Sequence, residues 1–376
     1  MFKKRLGPVL GIVGMLLAVS GPAGAALERV ESTMTHEGAV ARGGSLSLEN
    51  LLGSITVRGG GPAGKVLVEA RVVAEAKTLE EAQGLAETIE IDRERDGDAL
   101  LVHVSFPVDR HTAFRLPKAG QGKLSRWLGP LLRRDSVATV YEGRAVRLGQ
   151  SKDAVALAVH LTVTIPNDIQ SSIRQFMGSL QCTLVKGRVK LENVEGNIEA
   201  RRIYGMLEAR TGGGDLKVLT AKGEQVVLQT GSGNLEMIDV RVDEAYVRTG
   251  SGQIKGKAIN VGNLTIEGSA GSVDLAELDT RKFKVAMGSG DVSLGTRLQR
   301  TREGSINSAS GNVTLRVGNL APFDLRVRSE SGSVKTKGIA LEVSPDGLSA
   351  TRLSRGTGGA DLRVTTGSGE VVLKTH

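Results

Sequence analysis

Residues 214–254 read GDLKVLTAKGEQVVLQTGSGNLEMIDVRVDEAYVRTGSGQI, and the phrase that opens them returns at 233 and then along the rest of the chain. A glycine is followed by a small polar residue, an apolar one, any residue and another apolar one. It runs GDLKV at 214, GNLEM at 233, GSVDL at 271, GDVSL at 290, GNVTL at 311, GSVKT at 332 and GEVVL at 369. Upstream, Gly178, Gly187, Gly196, Gly205, Gly214 and Gly223 stand nine apart; Gly233, Gly252, Gly271 and Gly290 stand 19 apart, and Gly311 and Gly332 follow at 21. A fixed period of this length marks stacked supersecondary units. Within each period the apolar residues alternate, which is the signature of strands. Each turn is therefore read as two strands of about five residues, turning at corners such as Thr-Gly-Ser-Gly at 230–233 and 249–252. The inward residues are predicted to be Leu216/Val218, Leu235/Met237, Leu264/Ile266, Val273/Leu275, Phe283/Val285, Val292/Leu294, Val313/Leu315, Leu325/Val327 and Val371/Leu373.

The predicted fold is all-β. It is a β-solenoid, a stack of β-strand repeats with about 19 residues per turn and about 4.8 Å between turns. The residue three after a corner glycine supports this register. Glu199, Lys217, Glu236, Lys255 and Asp274 alternate in sign, as outward neighbours on stacked strands would. Residues 338–359 break the period, and Ser344-Pro345-Asp346-Gly347 reads as a hairpin turn within them.

Upstream of the repeat, residues 45–48 and 54–58 read as strands around a turn at 50–53, and residues 65–73 as a longer strand. Thr78 and Glu81 form a capping box at the start of a helix over 78–88, with Leu79, Ala82 and Leu85 on one face. Strands follow at 89–92, 99–106 and 154–165. Residues 107–150 are different: nine basic and three acidic residues, Pro107, Pro117 and Pro130, and the only tryptophan, Trp127. Leu124, Trp127, Leu128 and Leu131 fall at helical spacing beside Lys123, Arg126, Arg133 and Arg134. These eight residues are the candidate surface-docking element, matched to an anionic surface or an envelope polymer, with packing on the protein itself or a mobile loop as the competing readings.

The net charge is +8, but the first residues and the insertion at 107–150 hold most of it, so the high pI does not point to nucleic acid. Lys3, Lys4 and Arg5, an apolar run over 9–19 and Ala23-Gly24-Ala25 predict a signal peptide over 1–25, cleaved before Ala26. The organisation expected is thus a signal peptide (1–25), a β-rich region with the helix and the basic insertion (26–170) and a β-repeat domain (171–376). No stretch after the signal is apolar for the ~20 residues that a membrane helix needs. The single cysteine, Cys182, alternates with Leu180 and Leu184 and reads as a buried thiol.

The chain resembles a family of bacterial exported β-strand-repeat proteins that are grouped as adhesin-like and have no assigned activity. The residues that carry the likeness are SLSLENLLGSITVRGG at 45–60, DGDALLVHV at 96–104, LTVTIPNDI at 161–169 and the recurrent Ser-Gly-Asp/Asn units. It covers the mature chain except 107–150. The resemblance implies an extracytoplasmic, non-enzymatic binding or structural protein, with an envelope-stress sensing partner as the alternative and a polysaccharide-acting β-helix enzyme behind it. It carries over no catalytic residue.

The residues themselves point the same way. His36, His103, His111, His160 and His376 are dispersed, and no HExxH motif is present. Gly59-x-Gly61-x-x-Gly64 precedes the strand KVLVEA, where a dinucleotide site needs a helix. Asp215 and the residues equivalent to it, Asn234, Gln253, Ser272, Asn312 and Ser333, read as turn formers rather than a calcium ladder. The repeat holds few aromatics (Phe176, Tyr204, Tyr246, Phe283, Phe323) for a glycan-cleaving groove. No cofactor, metal or catalytic residue is predicted.

Overall fold

The computed structural model describes residues 14–19, 27–117, 136–151, 153–318, 321–338, 342–345 and 350–375. The chain divides into two compact units, Met1–Ala200 and Arg201–His376.

The first unit begins with β1 (Gly14–Val19), β2 (Glu28–Ala39), β3 (Ser45–Gly59), β4 (Lys65–Ala76) and α1 (Leu79–Glu87). It continues through β5 (Glu90–Asp96), β6 (Ala99–Ser105), β7 (Ala113–Arg115), β8 (Val137–Tyr141), β9 (Arg144–Leu148), β10 (Val155–Ile165), β11 (Gln170–Thr183) and β12 (Lys186–Glu195). The strands β2, β4 and β10 lie antiparallel in that order, and β10 then pairs parallel with β3. The helix is capped as the sequence predicts: Thr78 Oγ1 accepts from the Glu81 amide, and the Glu81 carboxylate accepts from the Thr78 amide. Its buried face differs from the expected one. Ala82 and Ala86, one helical turn apart, are buried against β2 and β4, while Leu79 is exposed. Small residues let the helix sit close to the sheet, and Leu79 at the first turn overhangs it.

Residues 50–53, expected to be a turn, are the interior of the single strand β3, which pairs parallel with β11 from Ser45↔Gln170 to Arg58↔Thr183. The strand bends at Gly53, whose φ of 134° favours glycine. A Cβ on Gly178, its partner on β11, would collide with the Gly53 carbonyl oxygen, so only glycine allows this approach of the two backbones. Beside the bend, Asn50 pairs with Gln175 and Gln175 with Asn193, three buried amides in one column. Asn50 Nδ2 donates to Gln175 Oε1 and to the Val159 carbonyl, both at 3.0 Å, and Asn193 Nδ2 donates to the Gly178 carbonyl at 2.9 Å. These bonds meet backbone and side-chain groups that the bend leaves in a dry interior.

The ends of the basic insertion belong to this unit's core. The strands β8 and β9 form a hairpin, β9 pairs with β7, and β7 with β10. Phe114 and Tyr141 are fully buried with Phe106 and Phe176, and the Tyr141 hydroxyl donates to the Val104 carbonyl.

The strand β13 (Ile198–Gly213) leads the chain on to four strands of equal length in the second unit: β14 (Leu216–Ser232), β15 (Leu235–Ser251), β16 (Ile254–Ala270) and β17 (Val273–Ser289). Each is one turn, hydrogen-bonded parallel to the next at an offset of 19 residues. The register is the predicted one: Lys217↔Glu236, Glu236↔Lys255 and Lys255↔Asp274 face each other, and Lys217 Nζ lies 2.7 Å from Glu236 Oε2. All eighteen residues predicted to point inward are buried. Glu199, expected outward, is buried instead.

The turns are not two strands but one strand with interior corners. Thr220, Asp239, Ala258 and Glu277 are 19 apart and all left-handed, with φ of 61°, 53°, 55° and 58°. Pairing skips each of them, so each is a bend that repeats from turn to turn. The other corner is glycine. At Gly233, φ is 147° and a Cβ would strike the Gly214 carbonyl oxygen. The polar residue after that glycine bonds to the next turn: Asp215 Oδ1 accepts from the Asn234 amide at 2.8 Å, and Asn234 Oδ1 from the Gln253 amide at 3.1 Å. Asp291 to Asn312 and Asn312 to Glu370 repeat the pattern. The column that resembled a calcium repeat thus caps backbone amides.

Beyond β17 come β18 (Val292–Thr296), β19 (Glu303–Ser310), β20 (Val313–Val317), β21 (Phe323–Ser329), β22 (Val334–Lys337), β23 (Glu342–Pro345), β24 (Ala350–Arg355), β25 (Ala360–Ser368) and β26 (Val371–Thr375). Their spatial order departs from their sequence order. The strand β25 lies between β19 and β21, and β26 lies between β20 and β22. The corner glycines accordingly stack as Gly290, Gly311, Gly369, Gly332. The hairpin expected around 344–347 is present as antiparallel β23 and β24, and β24 closes antiparallel on β21. That hairpin covers the outer edge of β21, and a covered edge resists strand-to-strand aggregation.

Candidate functional site

The docking element predicted from sequence (Lys123, Leu124, Arg126, Trp127, Leu128, Leu131, Arg133, Arg134) lies outside the described residues. Among the described residues, no group of three His, Cys, Asp or Glu side chains is placed to hold a metal ion. No helix among them is long and apolar enough to cross a membrane.

The groups with the most perturbed chemistry are structural. Burial pushes the Cys182 thiol up to about 12, so it is not a thiolate nucleophile at neutral pH. Burial, and then the nearby Arg71 guanidinium, lower His160 to about 4, and its Nδ1 is 2.9 Å from Ser54 Oγ on the adjacent strand. This Ser–His pair sits within a sheet, with Arg71 as its cross-strand neighbour, rather than in a cleft. His103 Nε2 is 2.8 Å from Glu142 Oε1, and its ring stacks on Tyr141. Burial also raises the Tyr141 hydroxyl well above its ordinary range.

A cluster of arginines lies elsewhere, at the left-handed corner of the repeat. The segment joining β18 to β19 reads RLQRTR over 297–302, and its Leu298 has a φ of 58°. It occupies the interval from Gly290 to Gly311, 21 residues where the turns before it have 19. Leu298 and Thr301 are buried and anchor it; Thr301 Oγ1 donates to the Thr280 carbonyl at 2.9 Å. Arg297, Gln299, Arg300 and Arg302 are exposed. The Arg302 amide donates to the Arg281 carbonyl at 2.8 Å, and Lys282 pairs with Glu303, so Arg281 and Arg302 are stacked neighbours.

Some charges on the stack are paired. Lys282 is paired with Glu303 at 3.2 Å and Arg241 with Asp239 at 3.0 Å. Arg300 is held by Asp279 Oδ2 at 3.0 Å and Asn260 Oδ1 at 2.8 Å. Among the described residues, Arg281, Arg297 and Arg302 have no carboxylate partner. Gly262 makes room for one of them, because a Cβ there would stand 2.5 Å from Arg281 Nη2. Arg281, Arg300 and Arg302 line one cleft of about 650 Å³, together with Leu298, Pro322 and Gly359. A second cleft of about 450 Å³ shares Gln299 and Arg300 and is lined by Arg241, Arg297, Glu277 and Asp279. Three arginines in six residues, within the first 21-residue interval after the run of 19, were the available sequence signal for this site.

A stack of this kind, with glycine corners and polar bonds at several of them, has recognised relatives. The family model described as Toastrack DUF4097 matches residues 160–374, and the chain belongs to that family. No protein of curated function matches it. Among solved structures, a candidate adhesin from Parabacteroides merdae is 11% identical with a TM-score of 0.41, covering 92% of this chain and 96% of its own. A candidate lipid-binding protein from Parabacteroides distasonis has 10% identity and a TM-score of 0.40, over the same shares of the two chains. A candidate adhesin from Bacteroides fragilis has 11% identity and a TM-score of 0.34, with 92% and 97% covered. At these values the three neighbours transfer neither residues nor function to this chain.

Proposed function

We propose that this protein is an exported, non-enzymatic binding protein that acts outside the cytoplasm through the fixed surface of its β-solenoid, as an adhesin or scaffold does. One observation carries the reading: three arginines with no carboxylate partner among the described residues, Arg281, Arg297 and Arg302, gather at one corner of the stack, while polar residues at the glycine corners hold strands together. A surface built this way has groups to grip a ligand and presents them on a rigid ladder, which lowers the ordering cost of binding.

Export is supported by Lys3, Lys4 and Arg5, the apolar run over 9–19 and Ala23-Gly24-Ala25. The strand β1 lies within that leader and pairs with one edge of β2, Leu17 facing Glu31. Its removal leaves β2 supported by its full-length ladder to β4, from Glu28↔Ala76 to Ala39↔Lys65. The test is N-terminal sequencing of the protein from fractionated cells. A chain that begins at Ala26 in the extracytoplasmic fraction is expected; a chain that keeps Met1 in the cytosol contradicts the proposal.

A further inference from the structure

We infer that the cleft lined by Arg281, Arg300 and Arg302 binds the acidic groups of a carboxylated polysaccharide. The argument begins with a contrast between two columns of the same stack. In the column Lys217, Glu236, Lys255, Asp274, neighbouring turns alternate in sign. At the corner of residues 281 and 302, neighbouring turns carry like charges, joined through backbone at 2.8 Å, with no carboxylate partner for either among the described residues. Like charges directly across a ladder are destabilising. An arrangement that weakens the free protein is relieved when an oxyanion fits between the two guanidinium groups, and it is explained if that is what the corner is for.

The chemistry of the cleft narrows the ligand. A guanidinium presents a planar fork that matches a carboxylate or phosphate oxygen pair. Arg300 is already fixed by Asp279 and Asn260, so its position is preset. The walls are short: Leu298, Pro322 and the bare backbone of Gly359, a surface that suits a sugar ring better than an acyl chain. A second cleft that holds Arg241 and Arg297 adjoins through Gln299 and Arg300; Glu277 and Asp279 line it too, so its charge is mixed and the anion site centres on Arg281 and Arg302. Stacked turns repeat every ~4.8 Å, which presents Arg281 and Arg302 as successive rungs to a polymer that carries charge at regular intervals. This favours a repeating polyanion over one isolated ion. The choice of a polysaccharide rests on the extracytoplasmic reading above; the anion chemistry does not.

The experiment is calorimetric titration of the purified full chain with polygalacturonate at low and high salt. Dextran, inorganic phosphate and phosphatidylglycerol vesicles serve as comparison ligands. The site variant is Arg281→Gln/Arg302→Gln, and Lys255→Gln/Lys284→Gln removes the same charge from exposed positions elsewhere on the stack. The wild type is expected to bind polygalacturonate and not dextran, more weakly at high salt. The site variant is expected to lose at least tenfold in affinity and the control variant less than threefold. Without ligand, the site variant is expected to melt no lower than the wild type, because a repulsive pair has been removed. Arg302→Gln alone repeats the test with half the change and is expected to fall between. Four results overturn the inference: no binding of polygalacturonate at low salt, equal losses in the two double variants, phosphate bound as tightly as the polymer, or binding of vesicles in place of the polymer. None of these bears on where the mature chain begins, so failure here and failure of the export proposal are told apart.

Discussion

The turns β14 to β17 and the N-terminal unit use the same glycine bend in opposite ways. In β14 to β17 every strand's partner is the next strand in the chain, 19 residues on, so equivalent residues stack: Leu216 on Leu235, Leu235 on Ile254, Ile254 on Val273. In the N-terminal unit β3 pairs with β6, β10 and β11, and its glycine column joins Gly53 to Gly178 and Gly178 to Gly196. The repeat fills its interior with aliphatic residues at every turn. The N-terminal unit buries the amides of Asn50, Gln175 and Asn193 beside its bend, so its bend depends on particular side chains as well as on backbone. Translation by a constant offset turns long-range pairing into a local rule, whereas a unit assembled from distant segments must specify each pairing separately.

The largest effect expected is in the repeat interior. Leu235→Asp places a charge in a dry column between Leu216 and Ile254 and should cost more than about 4 kcal/mol, enough to unfold the repeat in a denaturant titration. A loss no greater than that of an exposed substitution would break the alternation on which the stack rests. Next come the bends. Gly178→Ala and Gly233→Ala both force a Cβ against a neighbouring carbonyl at positive φ, and each should cost at least about 2 kcal/mol by chemical denaturation. If one bend tolerates alanine and the other does not, the two regions do not share a device.

The third effect separates the regions by pH. His160 in the N-terminal unit is depressed to about 4, while residues 201–375 contain no histidine. A histidine lowered in the folded state binds its proton more readily when unfolded. Its contribution is therefore full above about 6.5 and is lost as pH falls toward 4. The N-terminal unit should lose about 2 kcal/mol over that window, less than the full shift implies because the ring keeps some contact with water. Hydrogen exchange by peptide should show the loss around β3, β4 and β10, and His160→Gln should reduce it, leaving the part that comes from His36 on β2, which burial also lowers. The smallest effect is at the surface: Glu236→Gln removes the ion pair with Lys217 and should change stability by less than about 1 kcal/mol.

Legibility follows the same division. The inward residues of the repeat, the pairing of Lys217, Glu236 and Lys255, and the capping box at Thr78 could all be read because each is a short pattern with one physical meaning. The left-handed corners could not, because Thr220, Asp239, Ala258 and Glu277 share a conformation and no chemistry. The stack fixes that conformation through the pairing on both sides of it. The place of β3 in a glycine column was hidden by the separation of 125 positions from Gly53 to Gly178. The order of the last turns was hidden because β26 follows the repeat grammar at Gly369 but inserts between β20 and β22. Arg281 and Arg302 became neighbours only once the turn that joins them was seen to hold 21 residues instead of 19.

The central claim is that successive turns stack in parallel at a constant offset of 19. Engineered disulfides test it most directly. Lys217→Cys/Glu236→Cys joins residues that face each other across the ladder, whereas Lys217→Cys/Lys255→Cys joins residues two turns apart. Disulfides form readily when Cα atoms are about 4.4–6.8 Å apart, which adjacent turns satisfy and alternate turns do not. Under mild oxidation the first pair should cross-link almost completely and leave the fold intact, while the second stays reduced. Equal cross-linking of the two pairs, or none in the first, would contradict the stack.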